Sequence, residues 1–212
     1  MGKYTEKLIS ISSSPLNQEK GNISPGLLVM AGSIGKELEE LLSKKNGFFA
    51  FESALRFFPT ESSNQSIGLN AWNSESLWRS LYSDLAEECL FFAEDIFGGQ
   101  FCIKNNSIFS FDPETGALEE MGSSIEQWSQ ELLNEYNLWT GFSLAHEWQA
   151  KHGKLSHELR LMPKIPFVCG GEFCLDNLTA INAISGMKTR ANLALQILNM
   201  PDGAQIEFNI IE

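Results

Sequence analysis

Cys169 and Cys174 enclose Gly-Gly-Glu-Phe, and two thiolates on a short glycine-bearing loop could supply half of a tetrahedral zinc site. No second Cys or His pair follows them, and His146, His152 and His157 lie on a separate segment. Beside Phe167, Val168 and Phe173 the thiols read as small hydrophobes, so no metal site is expected. His146-Glu147-Trp148 has the opening of a zincin helix, but that chemistry needs a second His one helical turn on, and Ala150 stands there. Gly98-Gly99 and Gly170-Gly171 lack the spacing that aims amides at a phosphate, and no Ser elbow is present. Glu87, Glu88, Glu94 and Asp95 bracket an apolar stretch, yet neighbours on a strand point to opposite faces, so Glu94 and Asp95 read as a solvated rim and not as an acid/base pair. No catalytic residue, metal or cofactor is expected, and the chain should act by binding.

Charge narrows what it could bind. Fifteen Lys and Arg stand against 27 Asp and Glu, a net charge of -12 over 212 residues with a pI near 4.7. Such a field repels phosphate backbones and anionic headgroups, which argues against nucleic acid and membrane surfaces as partners. The longest apolar runs, such as Leu90-Phe91-Phe92-Ala93, fall far short of the roughly 20 residues that a membrane span needs. Residues 1–26 show no apolar block of signal-peptide length and become Ser/Asn-rich, so a loosely packed arm and a cytoplasmic location are expected. There all four cysteines should be thiols.

The elements that must position any binding surface follow from periodicity. Ser33 can cap a helix with Ile34, Leu38, Leu41 and Leu42 on one face, ended by Asn46-Gly47. The phenylalanine-rich run 48–58, stopped by Pro59, is read as a short helix, and Leu77, Trp78, Leu81 and Leu85 as another. The period then changes. Leu90–Ala93, Gln100–Ile103 and Ile108–Phe111, with a fourth strand from Ala117, predict an antiparallel meander. Ser123-Ser124-Ile125-Glu126 has a capping-box pattern before a helix whose inward face is Ile125, Trp128, Leu132, Leu133 and Tyr136. A helix through Leu144–Trp148 stops near Gly153; strands are expected at 166–168 and 178–184, then a helix facing inward with Met187, Ala191, Ala194, Leu195 and Leu198, and a last strand alternating at Ile206, Phe208 and Ile210. This is an α+β pattern: a mixed or antiparallel twisted sheet with flanking helices over 27–138, and an α+β extension over 139–212 packed on it.

The blocks Asn46–Pro59, Leu69 with Trp72-Asn73, Trp78 and Tyr82, Leu90–Phe101, Ile108–Gly116 and Ser123–Trp128 resemble bacterial members of the SUKH superfamily, the Smi/Knr-type proteins. Pro163–Phe173, Asn177-Leu178 and Pro201–Gly203 resemble the C-terminal extension of its longer bacterial forms. The resemblance implies an α+β binding protein without catalysis, often an immunity protein that neutralises a toxin delivered between competing bacteria. A regulatory or scaffold protein of the same fold is the alternative, and a zinc protein or enzyme using Cys169, Cys174 and a His is a further one. An acidic surface suits a basic cognate toxin such as a nuclease. The expected contact surface is Glu94 and Asp95 at the junction with Gly98-Gly99, beside Trp72 as exposed aromatic surface.

Overall fold

The computed structural model describes residues 1–19, 21–199 and 201. Helices α1 (Lys3–Ile11), α2 (Pro25–Ala31) and α3 (Ile34–Lys44) precede a β-hairpin of β1 (Phe48–Ala50) and β2 (Leu55–Phe57). A short helix α4 (Leu69–Trp72) and a 3-10 segment (Arg79–Ala86) lead into β3 (Leu90–Asp95), β4 (Gln100–Lys104), β5 (Ser107–Phe111) and β6 (Leu118–Gly122). All six strands form one antiparallel sheet in sequential order. Helices α5 (Ile125–Asn134), α6 (Tyr136–Thr140) and α7 (Phe142–His152) follow, then β7 (Leu159–Pro163) paired with β8 (Leu178–Asn182), and α8 (Ala183–Asn199). The architecture is α+β, as the pattern of elements requires.

Aromatic side chains fill both faces of the sheet. Phe91 and Ala93 pair with consecutive residues of β4, so Phe92 is the extra residue of a bulge. Strand alternation sends Phe91 and Phe92 to opposite sides. Phe57, Phe92 and Phe101 meet the ring of Trp128 on α5, with centroids 6.0, 5.0 and 5.5 Å away. On the other face Phe91 and Phe111 meet Trp78 and Tyr82, and Trp72 stacks on Phe58 at 5.0 Å. All of these rings are buried.

Several expectations are corrected. Residues 48–58 form a hairpin, because three consecutive left-handed residues, Phe51, Glu52 and Ser53, reverse the chain between two buried three-residue strands. Residues 1–26 are not a loose arm. Thr5 and Leu8 of α1 are buried against α5, and the Ser13 and Leu16 amides donate to the Phe49 and Gly47 carbonyls at the sheet edge. The continuous helix expected around Leu77–Leu85 is broken at Ser83, leaving Leu81 exposed. Phe167–Cys169 form a 3-10 turn where a strand is expected at 166–168, Tyr136 and Leu198 are exposed, and the strand expected at 206–210 lies outside the described residues.

Helix ends are joined by a relay of carboxylates. Ser124 Oγ accepts the Gln127 amide, as an N-cap should, but Glu126 turns away to accept the Tyr4 and Thr5 amides at 2.8 and 3.0 Å. Burial alone would raise the Glu126 pKa, and those donors outweigh it and hold the carboxyl below the usual range. Glu37 of α3 accepts the Ile125 amide at 2.8 Å in the same manner. The starts of α1 and α5 are thus each satisfied by a neighbouring helix.

Trp128→Ala removes the ring that three phenylalanines pack against, and should cost about 3–5 kcal/mol in urea unfolding. A variant as stable as the parent would mean that α5 does not carry this face of the core.

Candidate functional site

Three charged residues sit where apolar residues would be expected. Arg56, in Leu55-Arg56-Phe57, lies directly across the ladder from Glu94, and Glu94 lies across from Gln100, so all three project from one face of β2, β3 and β4. Glu94 has no solvent exposure and Arg56 almost none. Arg160 of β7 reaches the same carboxylate. Glu94 Oε1 meets Arg56 Nη2 at 2.5 Å and Arg160 Nε closely, while Glu94 Oε2 accepts from Gln100 Nε2 at 3.2 Å. Gln100 Oε1 in turn accepts the Trp72 indole N–H at 2.8 Å. The guanidiniums also donate to backbone: Arg56 to the His157 carbonyl at 3.0 Å, Arg160 to that of Leu159 at 2.7 Å. Burial pushes the Arg56 pKa down to about 10, with Glu94 opposing that fall and Arg160 adding to it, so the guanidinium keeps its proton at neutral pH.

The expected contact surface is therefore corrected in two of its three residues. Glu94 and Trp72 are fully buried and cannot face a partner; the cross-strand pairing with Arg56 and Gln100 draws the carboxylate inward, and the indole follows as a donor to Gln100. Asp95 points the other way and is half-buried. Its Oδ1 accepts the Phe97 and Gly99 amides at 2.7 and 2.8 Å, which closes the turn between β3 and β4. Burial raises its pKa to about 7, against the pull of those amides and of Arg190. Arg190 of α8 clamps the same turn by donating to the Phe97 carbonyl at 2.6 Å, and a Cβ at Gly98, whose φ is +82°, would strike Arg190 Nη2.

This junction does support exposed aromatic surface, though not at Trp72. The Phe97 ring lies 5.6 Å from Phe167 and 6.1 Å from Phe173, which stack on each other at 3.8 Å. They belong to the loop 164–177 between β7 and β8. Its backbone is fastened by Asn177, whose side chain accepts from the Ile165 amide and donates to the Ile165 and Glu172 carbonyls. Glu114 accepts the Val168 amide at 2.9 Å from below. On this frame Phe173 is 65% exposed, Ile165 58% and Val168 45%, with Glu172 and Asp176 beside them. Exposed apolar side chains on a hydrogen-bonded loop make it the candidate binding surface.

The thiols and imidazoles do not converge. Cys169 is exposed and Cys174 partly so on this loop, while His146 lies on α7 with Nδ1 2.8 Å from Glu52 Oε2. Among the described residues no group of three or more His, Cys, Asp or Glu side chains could hold a metal ion. No helix among them is long and apolar enough to cross a membrane.

No family model matches the chain, and no curated protein matches it. Among solved structures, the chain is similar to that of Atu4351 from Agrobacterium tumefaciens, with a TM-score of 0.52 at 13% identity over 89% of this chain and 88% of that one. At that identity the likeness shows a common fold over nearly the whole length.

Two predictions follow from the buried charges. Glu94→Gln leaves two buried guanidiniums without a counter-charge and should destabilise the chain by about 3–5 kcal/mol in denaturant unfolding, whereas an undiminished midpoint would show the network to be dispensable. Asp95 works in the opposite sense to a paired carboxylate: its folded pKa lies above the ordinary 3.8, so its contribution is fully present below that value and is lost as pH rises through about 7. Between about pH 4 and about pH 8, Asp95→Asn should therefore gain about 1–2 kcal/mol on the parent, less than the full shift because Asp95 keeps some solvent contact. Parallel stability profiles for the two proteins would contradict the assignment.

Proposed function

We propose that the chain is a SUKH-like immunity protein that acts in the cytoplasm by binding a cognate protein toxin and blocking it. The observation that carries this reading is the loop 164–177: Ile165, Val168 and Phe173 stand exposed on a backbone held by the Asn177 side chain and by Glu114, within a chain of net charge -12. Exposed aromatic and aliphatic side chains on a preformed loop supply hot-spot area at little ordering cost. The surrounding acidic groups favour a basic partner and speed its approach. A nuclease fits that description, because an enzyme that grips phosphate carries a basic face. Nucleic acid and anionic membrane are disfavoured by the same charge. The resemblance in sequence to SUKH proteins supports the immunity role, and the six-stranded meander followed by α5 is compatible with it.

Ile165→Ala combined with Val168→Asp should weaken binding to the cognate toxin by at least about tenfold while leaving the unfolding temperature unchanged, since both side chains are exposed and neither joins the Phe97–Phe167–Phe173 ring cluster. Added salt should slow association of the parent. Unchanged affinity in the double variant would remove the loop from the interface; failure of the chain to protect cells that express the toxin would overturn the immunity reading itself.

A further inference from the structure

A groove of about 570 Å³ lies between the end of α1, the β1–β2 hairpin and α7, on a different part of the chain from the loop 164–177. Its hairpin wall is strained. Phe51, Glu52 and Ser53 have φ of 51°, 52° and 73°, and none is a glycine, so each carries the steric cost of a Cβ in the left-handed region. Helix α7 holds this turn from across the groove. His146 Nδ1 lies 2.8 Å from Glu52 Oε2, and Gln149 Nε2 donates to the Glu52 carbonyl at 2.9 Å. Beside these links the groove stays open, with the short side chains of Ala50 and Ala150 among its walls. Strained turns that the surrounding structure over-determines cluster at ligand clamps.

Most polar side chains that line the groove are already used within the chain. Ser13 Oγ accepts the Phe49 amide at 3.0 Å and donates to the Ser14 carbonyl at 2.8 Å. Gln149 Oε1 accepts the Leu155 amide at 3.1 Å, and Glu52 and His146 form their own pair. The Ser53 hydroxyl and the Lys154 ammonium have no hydrogen bond or ion pair among the described residues. Lys154 is exposed, so its ammonium is open to a ligand, and it stands in a chain of net charge -12. The rest of the wall is apolar: Ile11, Phe49, Ala50, Phe51 and Ala150.

One open cation beside an apolar wall selects a ligand class. Inorganic phosphate would leave the apolar wall wet and would meet Glu52 and the negative field of the chain. A neutral hydrocarbon would leave Lys154 unused. The volume falls among small-molecule pockets, which run from about 300 to 1,000 Å³. We propose that this groove binds a medium-chain fatty acid, its single carboxylate on the Lys154 ammonium and its chain along Ile11, Phe49 and Ala150. The site does not depend on the immunity reading.

The test titrates the full chain with decanoate below its micellar concentration, with acetate, inorganic phosphate and decanol as comparison probes, and follows backbone amide resonances. Decanoate should shift the amides of Phe51, Glu52 and Ala150 saturably and bind at least about tenfold more tightly than acetate or phosphate, because only its chain fills the apolar wall. It should also bind about threefold more tightly than decanol, the modest gain that an exposed ion pair provides. Lys154 and Ala150 are both exposed, so variants at these positions keep the fold. Lys154→Gln should erase the preference for decanoate over decanol, and Ala150→Phe, which fills the groove, should abolish binding of both. The proposal is overturned if decanoate leaves these amides unmoved, if acetate or phosphate binds as tightly, if Lys154→Gln keeps the preference over decanol, or if Ala150→Phe binds decanoate as the parent does.

Discussion

Glu94 is the residue on which the arrangement turns. A carboxylate in the middle of an aromatic sheet face is tolerated only with positive partners and hydrogen bonds around it, and the chain draws these from separate elements: Arg56 from β2, Gln100 from β4 and Arg160 from β7. Breaking one partner leaves the others uncompensated, so β2, β3 and β4 are held in one register and β7 is tied to them. The consequence reaches beyond the sheet. Arg160 belongs to the C-terminal hairpin, and its engagement fixes β7 against the end of β3, where the Leu161 amide also donates to the Ile96 carbonyl at 2.8 Å. The loop that displays Phe173 leaves from the end of this same strand.

Around that centre the structure is a stack of aromatic layers tied at its edges by short polar links. Alternation along β3 sends Phe91 and Phe92 to opposite faces, where Trp78 and Trp128 receive them, and Trp72 stacks on Phe58 beside Trp78. Glu37 and Glu126 link the starts of α5 and α1 to neighbouring helices, so the N-terminal helix is part of the fold and not an appendage. Asp95 and Arg190 hold the β3–β4 turn, and through Phe97 that turn carries the aromatic loop.

The meander from Leu90 and the helix at Ile125 were legible because strand and helix periods are unmistakable there, and because glycines and Asp-Pro punctuate the turns. The hairpin at 48–57 was not. Its strands are only three residues long and buried on both faces, so no alternation shows, and its turn uses left-handed Phe, Glu and Ser where sequence rules look for Gly or Asn. The polarity of α1 hid its packing, since Thr5 and Leu8 are its buried residues and Glu126, remote in sequence, caps it. The site was misplaced for a related reason. Glu94 beside Asp95 looks like a surface pair, and only the register that sets Arg56 opposite Glu94 reveals the burial. The signal was present in two lone charges, Arg56 and Arg160, each flanked by apolar residues in its strand, whose need for a counter-charge Glu94 meets. The exposed loop was visible as Ile-Pro-Phe-Val-Cys, but an apolar run reads as a buried strand until the hairpin around it is known.

If Glu94 locks the C-terminal hairpin to the sheet, the two must open together. Native-state amide hydrogen exchange resolves this residue by residue. The amides of Leu161 and Thr179 in the hairpin should exchange with the same opening free energy as those of Ala93 and Phe101 in the sheet, within about 0.5 kcal/mol. A hairpin that opens well below the sheet, as a separate unit, would contradict the role assigned to Glu94.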